Sequence, residues 1–316
     1  MIENEFHFTN PISLVIAKTI FGDRLKKACF ILPIKNQRLN DGNRLEEQGV
    51  SQSRKLSEIL GIEFDLIGQE EHFSNQSQVI EATLKRRLSP NGQTLIMTTS
   101  DIYCRFGFKT YKNFFITKQK LKKLWSAVDY NSKDLLYGFS LDGTKNKLTC
   151  KVSDIDITGV KKILKEITLD SGLLFSNFFS VDNHKKYLLV MPYRHDKISE
   201  NFSERFFEET NIIAKEKNLS ILIKNHPNDI FDYTKYFSYE EEILSMSDKI
   251  ERHIPVELFL QSKQVDYTVS VPSSSLAFAE TNRLSVLVPT NRSLYRKKFL
   301  DQEPFLNRLK LNVKTI

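Results

Sequence analysis

Cysteine and glycine are scarce in this 316-residue chain. The three cysteines, Cys29, Cys104 and Cys150, lie far apart in sequence. They make no zinc-type pair and no even disulfide framework, so reduced thiols in a cytosolic protein are expected. Eleven glycines and nine prolines exclude collagen-like and low-complexity classes. No internal repeat and no long Ser/Gly linker interrupts the chain. No apolar run is long enough to span a bilayer: the stretch from Pro11 to Phe21 is short and broken by Lys18. The opening Met1-Ile2-Glu3-Asn4-Glu5 is acidic, unlike the basic start of a secretory leader. The expected location is the cytoplasm, extending to peripheral contact with the inner face of the cell membrane.

What is present supports a large folded core. Hydrophobic residues make up 40% of the chain and charged residues 27%, which excludes global disorder. The length admits two domains of ordinary size. A net charge of +7 marks a basic surface, which attracts nucleic acid, anionic lipid or phosphorylated substrates without choosing among them. No stacking platform or recognition helix is visible, so nucleic acid is not an expected partner. The basic runs Arg24-Leu25-Lys26-Lys27, Lys118 to Lys123 and Arg296-Lys297-Lys298 suit solvated helix faces. With Phe21, Trp125, Tyr295 and Phe299 nearby they also suit an anionic membrane or an acidic glycan.

Strands and helices alternate along the chain. Strands are expected at 5–8, 28–32, 64–67, 94–98, 113–116 and 135–140. Helices are expected from Asn10-Pro11 onward, at 45–60 before Gly61, at 76–88 and at 118–125. A short strand and a helix follow over 152–167, and the polar stretch around Ser180 to Lys186 marks a domain boundary. The pattern then restarts, with strands at 187–191, 219–223, 267–271 and 284–288 and helices at 202–217, 255–262 and 274–281. Lys297 to Ile316 is amphipathic, basic and able to pack back across the join. This alternation predicts α/β architecture with mainly parallel sheets. The division is expected as residues 1–182 and 183–316, two halves facing a cleft.

Chemistry-bearing residues gather in the second half. Leu219-Ser220-Ile221-Leu222-Ile223 reads as a strand buried on both faces, and Lys224-Asn225-His226-Pro227 follows where it must stop. Pro227 biases His226 away from helical geometry. An imidazole and an ammonium are thereby placed at the carboxyl end of a parallel strand, where ligands bind in open α/β sheets. A plain strand-terminating turn accounts for the same residues. Val271-Pro272-Ser273-Ser274-Ser275 follows another strand. Its hydroxyls at a helix start suit either N-capping or an anion such as phosphate. Between them, His253-Ile254-Pro255-Val256-Glu257 puts proline and a glutamate in a helix's first turn. That carboxylate suits either the helix dipole or ribose hydroxyls.

Three motifs in this order, Ile223-Lys224-Asn225-His226-Pro227, Ile254-Pro255-Val256-Glu257 and Ser274-Ser275, resemble those of the bacterial GT-B sialyltransferases, which include lipooligosaccharide sialyltransferases and capsule polysialyltransferases. Met191-Pro192-Tyr193 with Ile198-Ser199-Glu200 is similar to the segment that opens their donor domain, and the Asn10-Pro11 strand-to-helix start is also similar to theirs. The resemblance covers most of 185–290 and fragments of the first half. It implies that His226 assists departure of cytidine monophosphate, that Ser274 and Ser275 hold its phosphate, and that Glu257 recognises ribose. Pro227 and Pro255 belong to the same donor-binding motifs. Lys224 is added on electrostatic grounds, as a cation near the leaving group. The family's base lies in an acidic-acidic-Gly motif. Leu141-Asp142-Gly143 matches it incompletely, making Asp142 the candidate base and a simple Asp-Gly turn the alternative.

The expectation is therefore two Rossmann-like domains of GT-B type. The implied reaction is inverting, metal-independent transfer of sialic acid or a related nonulosonic acid from its CMP conjugate. The acceptor is expected to be a hydroxyl of a bacterial surface glycan or glycolipid, with no cofactor beyond the donor. A GT-B enzyme using another sugar nucleotide and a catalytically silent glycan- or polyanion-binding protein remain as alternatives. Asp154-Ile155-Asp156 raises a metal-dependent alternative, although its spacing also fits a half-exposed strand. His7, His72, His184 and His195 read as surface or packing residues.

Overall fold

The structure, a computed structural model, describes residues 4–32, 42–68, 79–81, 94–96, 135–138, 151–170, 185–192, 199–227, 229–237, 243–245, 254–289, 311 and 313–316. The chain divides into two compact units, Met1–Ile163 and Leu164–Ile316. The two sheets themselves part between residues 154 and 187.

The N-terminal unit is built on a seven-stranded sheet. Its strands are β1 (Asn4–Phe8), β2 (Leu25–Leu32), β3 (Glu63–Gly68), β4 (Val79–Glu81), β5 (Thr94–Ile96), β6 (Leu135–Gly138) and β7 (Lys151–Asp154). They lie in the order β3-β2-β1-β4-β5-β6-β7. Each neighbouring pair is parallel. The unit's helices are α1 (Pro11–Phe21) and α2 (Gly42–Ile59), and α3 (Ile157–Asp170) runs across the division after Ile163. Helix α1 begins where the sequence predicts. Pro11 occupies its first turn and the Asn10 side chain accepts from the Ile12 N–H, so two features favour the same start. After α2, Gly61 takes φ +65°, a left-handed conformation that L side chains resist, and β3 follows.

Alternation sorts the side chains of β1. Phe6 and Phe8 are fully buried and stack at 5.4 Å, with Phe30 of β2 edge-on to Phe8. Glu5 and His7 point to the other face.

The C-terminal unit repeats the plan with six strands: β8 (Tyr187–Met191), β9 (Ser220–Ile223), β10 (Ile243–Ser245), β11 (Val265–Ser270), β12 (Leu284–Val288) and β13 (Val313–Thr315). Their order is β10-β9-β8-β11-β12-β13, again parallel. Strands β8 and β9 are buried at every residue, as expected for central parallel strands covered on both faces. Helix α4 (Glu200–Lys217) is N-capped by Ser199 and ends at Asn218 in the left-handed conformation. Its Phe202, Phe206 and Phe207 pack with Leu188, Val190, Ile221, Ile223 and Val269. Phe207 also stacks on Tyr236 at 4.7 Å and meets Tyr233 and Phe237.

Several expectations are corrected. Within the helix expected over 76–88, Val79–Glu81 form strand β4, because the β-branched Val79 and Ile80 are buried between β1 and β5; the rest of that range lies outside the described residues. The helix expected over 255–262 is the short α5 (Val256–Phe259), with Pro255 as its extended N-cap rather than inside its first turn. The helix expected over 274–281 is a five-residue 3₁₀ turn, Ser274–Phe278. The last described residues add strand β13 to the sheet, followed by the Ile316 N–H donating to the Val288 carbonyl; residues 297–310 of the segment expected to pack back lie outside the described residues. Lys27 of the first basic run lies in β2, paired with Asp65 at 3.2 Å, rather than on a solvated helix face.

Candidate functional site

In both sheets the strand order reverses direction once. The reversal falls between β1 and β4 in the N-terminal unit and between β8 and β11 in the C-terminal one. Connections leave such a point on opposite faces, so a crevice opens outside the carboxyl ends of those strands.

In the C-terminal unit, the backbone ladders carry the chain up to that crevice. The Lys224 N–H donates to the Val190 carbonyl at 2.9 Å and the Val271 N–H to the Met191 carbonyl at 3.4 Å. Three chain ends therefore lie side by side: Lys224-Asn225-His226 after β9, Met191-Pro192 after β8, and Val271-Pro272-Ser273 after β11. Lys224 is buried at 5% exposure, and its Nζ donates to the Asn225 carbonyl at 2.9 Å. Asn225 locks the loop beyond, donating from Nδ2 to the carbonyls of Asp229 and Phe231. The Asp229 N–H returns to the His226 carbonyl at 2.8 Å, and the Asp229 carboxylate accepts from Tyr233 at 2.6 Å. These bonds fix the backbone at His226, whose side chain is exposed, and at the half-buried Pro227.

Glu257 lies in the first turn of α5. It is buried, and its Oε1 accepts from the Ser275 hydroxyl at 2.7 Å. Burial pushes its carboxyl above the ordinary value. The Ser275 hydroxyl, a backbone N–H and the Lys224 charge pull the other way without prevailing. Lys224, Glu257 and Ser275 thus form one polar cluster at the reversal point, from three segments far apart in sequence.

In the serine run the capping alternative is visible at Ser273. Ser273 caps the 3₁₀ turn by accepting from the Ser275 N–H, and the Ser275 hydroxyl is engaged by Glu257. A turn of five residues supports little macrodipole. The turn at Ser274–Phe278 therefore offers little dipole, and the Lys224 ammonium is the cluster's cation. Asp142 lies outside the described residues; the strand preceding it, β6, ends at Gly138. Asp156 accepts from the Thr158 N–H at 2.9 Å at the start of α3, a capping role that accounts for this half of the Asp154-Ile155-Asp156 motif.

Sequence reasoning missed Glu81. It closes β4 at the other reversal point and is 2% exposed. Its Oε2 accepts from the Thr9 N–H at 2.7 Å, the Thr9 hydroxyl at 3.1 Å and the Asn10 N–H at 3.1 Å. In nucleotide-binding units of this topology a phosphate rests at the first strand-to-helix turn. Here the chain's own carboxylate holds that place. The signal in the sequence is Val79-Ile80 directly before the acid, a strand end that reads as mid-helix. A cavity of about 430 Å³ beside Lys263, Asp266 and Arg283 lies at the amino end of β11, the opposite edge from the Lys224 cluster.

No protein-family model matches the chain, and no curated protein sequence matches it. Among solved structures, the chain is similar to an α,α-trehalose-phosphate synthase (UDP-forming) from Burkholderia vietnamiensis. That likeness has 10% identity and a TM-score of 0.39, covering 100% of this chain and 88% of that one. It is also similar to a dipicolinate synthase component from Bacillus halodurans, at 9% identity and a TM-score of 0.24, covering 99% and 90%. Both likenesses are too loose to bear on function. The strand orders define the class: an α/β protein with two doubly wound parallel sheets.

Two outcomes follow from the buried carboxylates. Glu81→Ala leaves the Thr9 and Asn10 donors unsatisfied and should cost about 1–3 kcal/mol of stability, read from urea denaturation; an unchanged midpoint contradicts the capping role. Glu257 has a raised folded value, so its contribution is present in full below the ordinary 4.5 and is lost as pH rises through the folded value. Glu257→Gln, with no proton to lose, should therefore gain stability over the wild type as pH rises from about 4.5 through the raised folded value. Parallel denaturation midpoints at every pH contradict this.

Proposed function

We propose that the chain is a GT-B-type glycosyltransferase that takes its nucleotide-sugar donor at the carboxyl edge of the C-terminal sheet. The observation that carries this reading is the contrast between the two reversal points. One holds a buried ammonium with a buried carboxylate and a hydroxyl. The other is filled by Glu81, which repels a phosphate.

The donor proposed is a CMP-activated nonulosonic acid, sialic acid or a relative. This choice rests on the similarity of the His-Pro, Pro-Val-Glu and Ser-Ser motifs to those of the bacterial sialyltransferases. Transfer is inverting and metal-independent, to a hydroxyl of a lipooligosaccharide or capsule glycan. Asp142 takes the acceptor proton as the hydroxyl oxygen attacks the anomeric carbon. The bond from that carbon to the phosphate oxygen breaks, and His226 donates a proton or hydrogen bond to the departing phosphate. Lys224 and Ser274 offset the charge that develops there. Glu257 is aimed at the ribose hydroxyls, with Ser275 positioning its carboxylate. Pro227 and Pro255 set the extended backbone at each motif. Among the described residues no helix is long and apolar enough to cross a membrane, and acceptor access by peripheral contact with an anionic bilayer remains part of the proposal.

The test is incubation with CMP-sialic acid, UDP-sugars and GDP-sugars against a panel of labelled acceptors. Product from the CMP donor supports the finer reading; product from another nucleotide keeps the class and replaces the donor. His226→Ala should lower turnover by about 10²–10⁴-fold with CMP binding retained. Near-normal transfer by that variant removes the imidazole from the mechanism.

A further inference from the structure

The N-terminal sheet holds a second cluster that the transfer reaction does not use. Glu5 and His7 share one face of β1, two residues apart, and Cys29 of β2 is the ladder partner of His7. The Glu5 Oε1 accepts from His7 Nε2 at 2.6 Å and from the Cys29 thiol at 3.1 Å. One ligand atom from each residue lies within 4.8 Å of the other two. His7 and Cys29 are fully buried, while the Glu5 side chain is 32% exposed and gives the cluster a side open to solvent.

We propose that Glu5, His7 and Cys29 form a binding site for a divalent transition metal of the zinc class, tying β1 to β2. The geometry is favourable because the donors already converge. Zinc bonds of about 2.0–2.3 Å to N, O and S place tetrahedral ligand atoms roughly 3–4 Å from one another, a span reached here by small side-chain shifts. The donor set is chemically selective. Thiolate and imidazole favour zinc-class ions over magnesium or calcium, which take oxygen ligands.

The exchange balances. The Cys29 S–H bond breaks and its proton goes to solvent as the Sγ–metal bond forms. The Nε2 proton that bonded Glu5 passes to solvent as Nδ1 takes one up, so the imidazole is neutral and Nε2 offers its lone pair to the metal. The Glu5 oxygen gives up two hydrogen bonds for one metal bond. Carboxylate and thiolate then offset the two charges of the ion. Lys27 lies beside Glu5 but is paired with Asp65 at 3.2 Å. Three protein ligands leave a fourth position for water on the exposed side of Glu5. Spacing in the sequence could not reveal this set, because Cys29 joins Glu5 and His7 only through the parallel register.

The site stands independently of the proposed transferase activity, and its test reads metal, not turnover. The full chain, stripped with a chelator, is titrated with Co²⁺ and monitored for thiolate-to-cobalt charge-transfer absorption. One equivalent should bind with that band, and Zn²⁺ should displace it. Cys29→Ala should lose the band, and His7→Ala should lose tight uptake. Should those buried variants fail to fold by circular dichroism, Glu5→Gln, at a partly exposed position, should still weaken Co²⁺ uptake. Absence of stoichiometric uptake, or a charge-transfer band that survives in Cys29→Ala, overturns the proposal.

Discussion

Glu81 offers one oxygen to three donors at the start of α1, and this contact governs what the N-terminal sheet can still accept. Parallel strands that end beneath a covering layer leave backbone N–H groups that must find partners. At a strand-to-helix turn the partner is often a bound phosphate. A buried carboxylate supplies the same negative charge from within the chain, so a second anion there would meet repulsion in a low-dielectric setting. At its reversal point the N-terminal unit already places its own Glu81 side chain on the Thr9 and Asn10 donors.

The C-terminal unit has the same kind of reversal with the opposite arrangement of charge. Lys224 and Glu257 are both buried near its reversal point. Removing two charges from water costs several kcal/mol each, and apolar residues of similar volume would pack at no such cost. At Glu257 burial holds the carboxyl above its ordinary value against the Ser275 hydrogen bond. Perturbed groups of this kind concentrate at functional sites. In the transferase reading, a donor phosphate beside Lys224 and ribose hydroxyls beside Glu257 would add to the partners that Asn225 and Ser275 already give them.

Much of the fold is legible in the sequence because parallel strands buried on both faces spell themselves as apolar runs. Tyr187–Met191 and Leu284–Val288 stand out with their observed bounds, and Asn10-Pro11 announces α1. The misreadings share a cause. Val79-Ile80-Glu81 is too short for an alternation to be visible, and only pairing with β1 and β5 makes it a strand. Ile243–Ser245 escapes notice for the same reason. In the site, Lys224 and Glu257 are legible from their positions at a strand end and after a proline. The bond from Ser275 to Glu257 is not, since it spans 18 residues and depends on a 3₁₀ turn where the pattern suggests a helix. His7 reads as a packing residue because its partners, Glu5 and Cys29, converge only through the sheet register.

The central claim is that a nucleotide's phosphate settles at the carboxyl edge of the C-terminal sheet and is refused at that of the N-terminal one. Amide hydrogen exchange with and without CMP measures this most directly. The account predicts slowed exchange confined to the segments around Met191, Lys224–Pro227, Ile254–Glu257 and Val271–Ser275. Protection at Thr9–Ile12 and Val79–Glu81 instead, or protection in neither set, would contradict it.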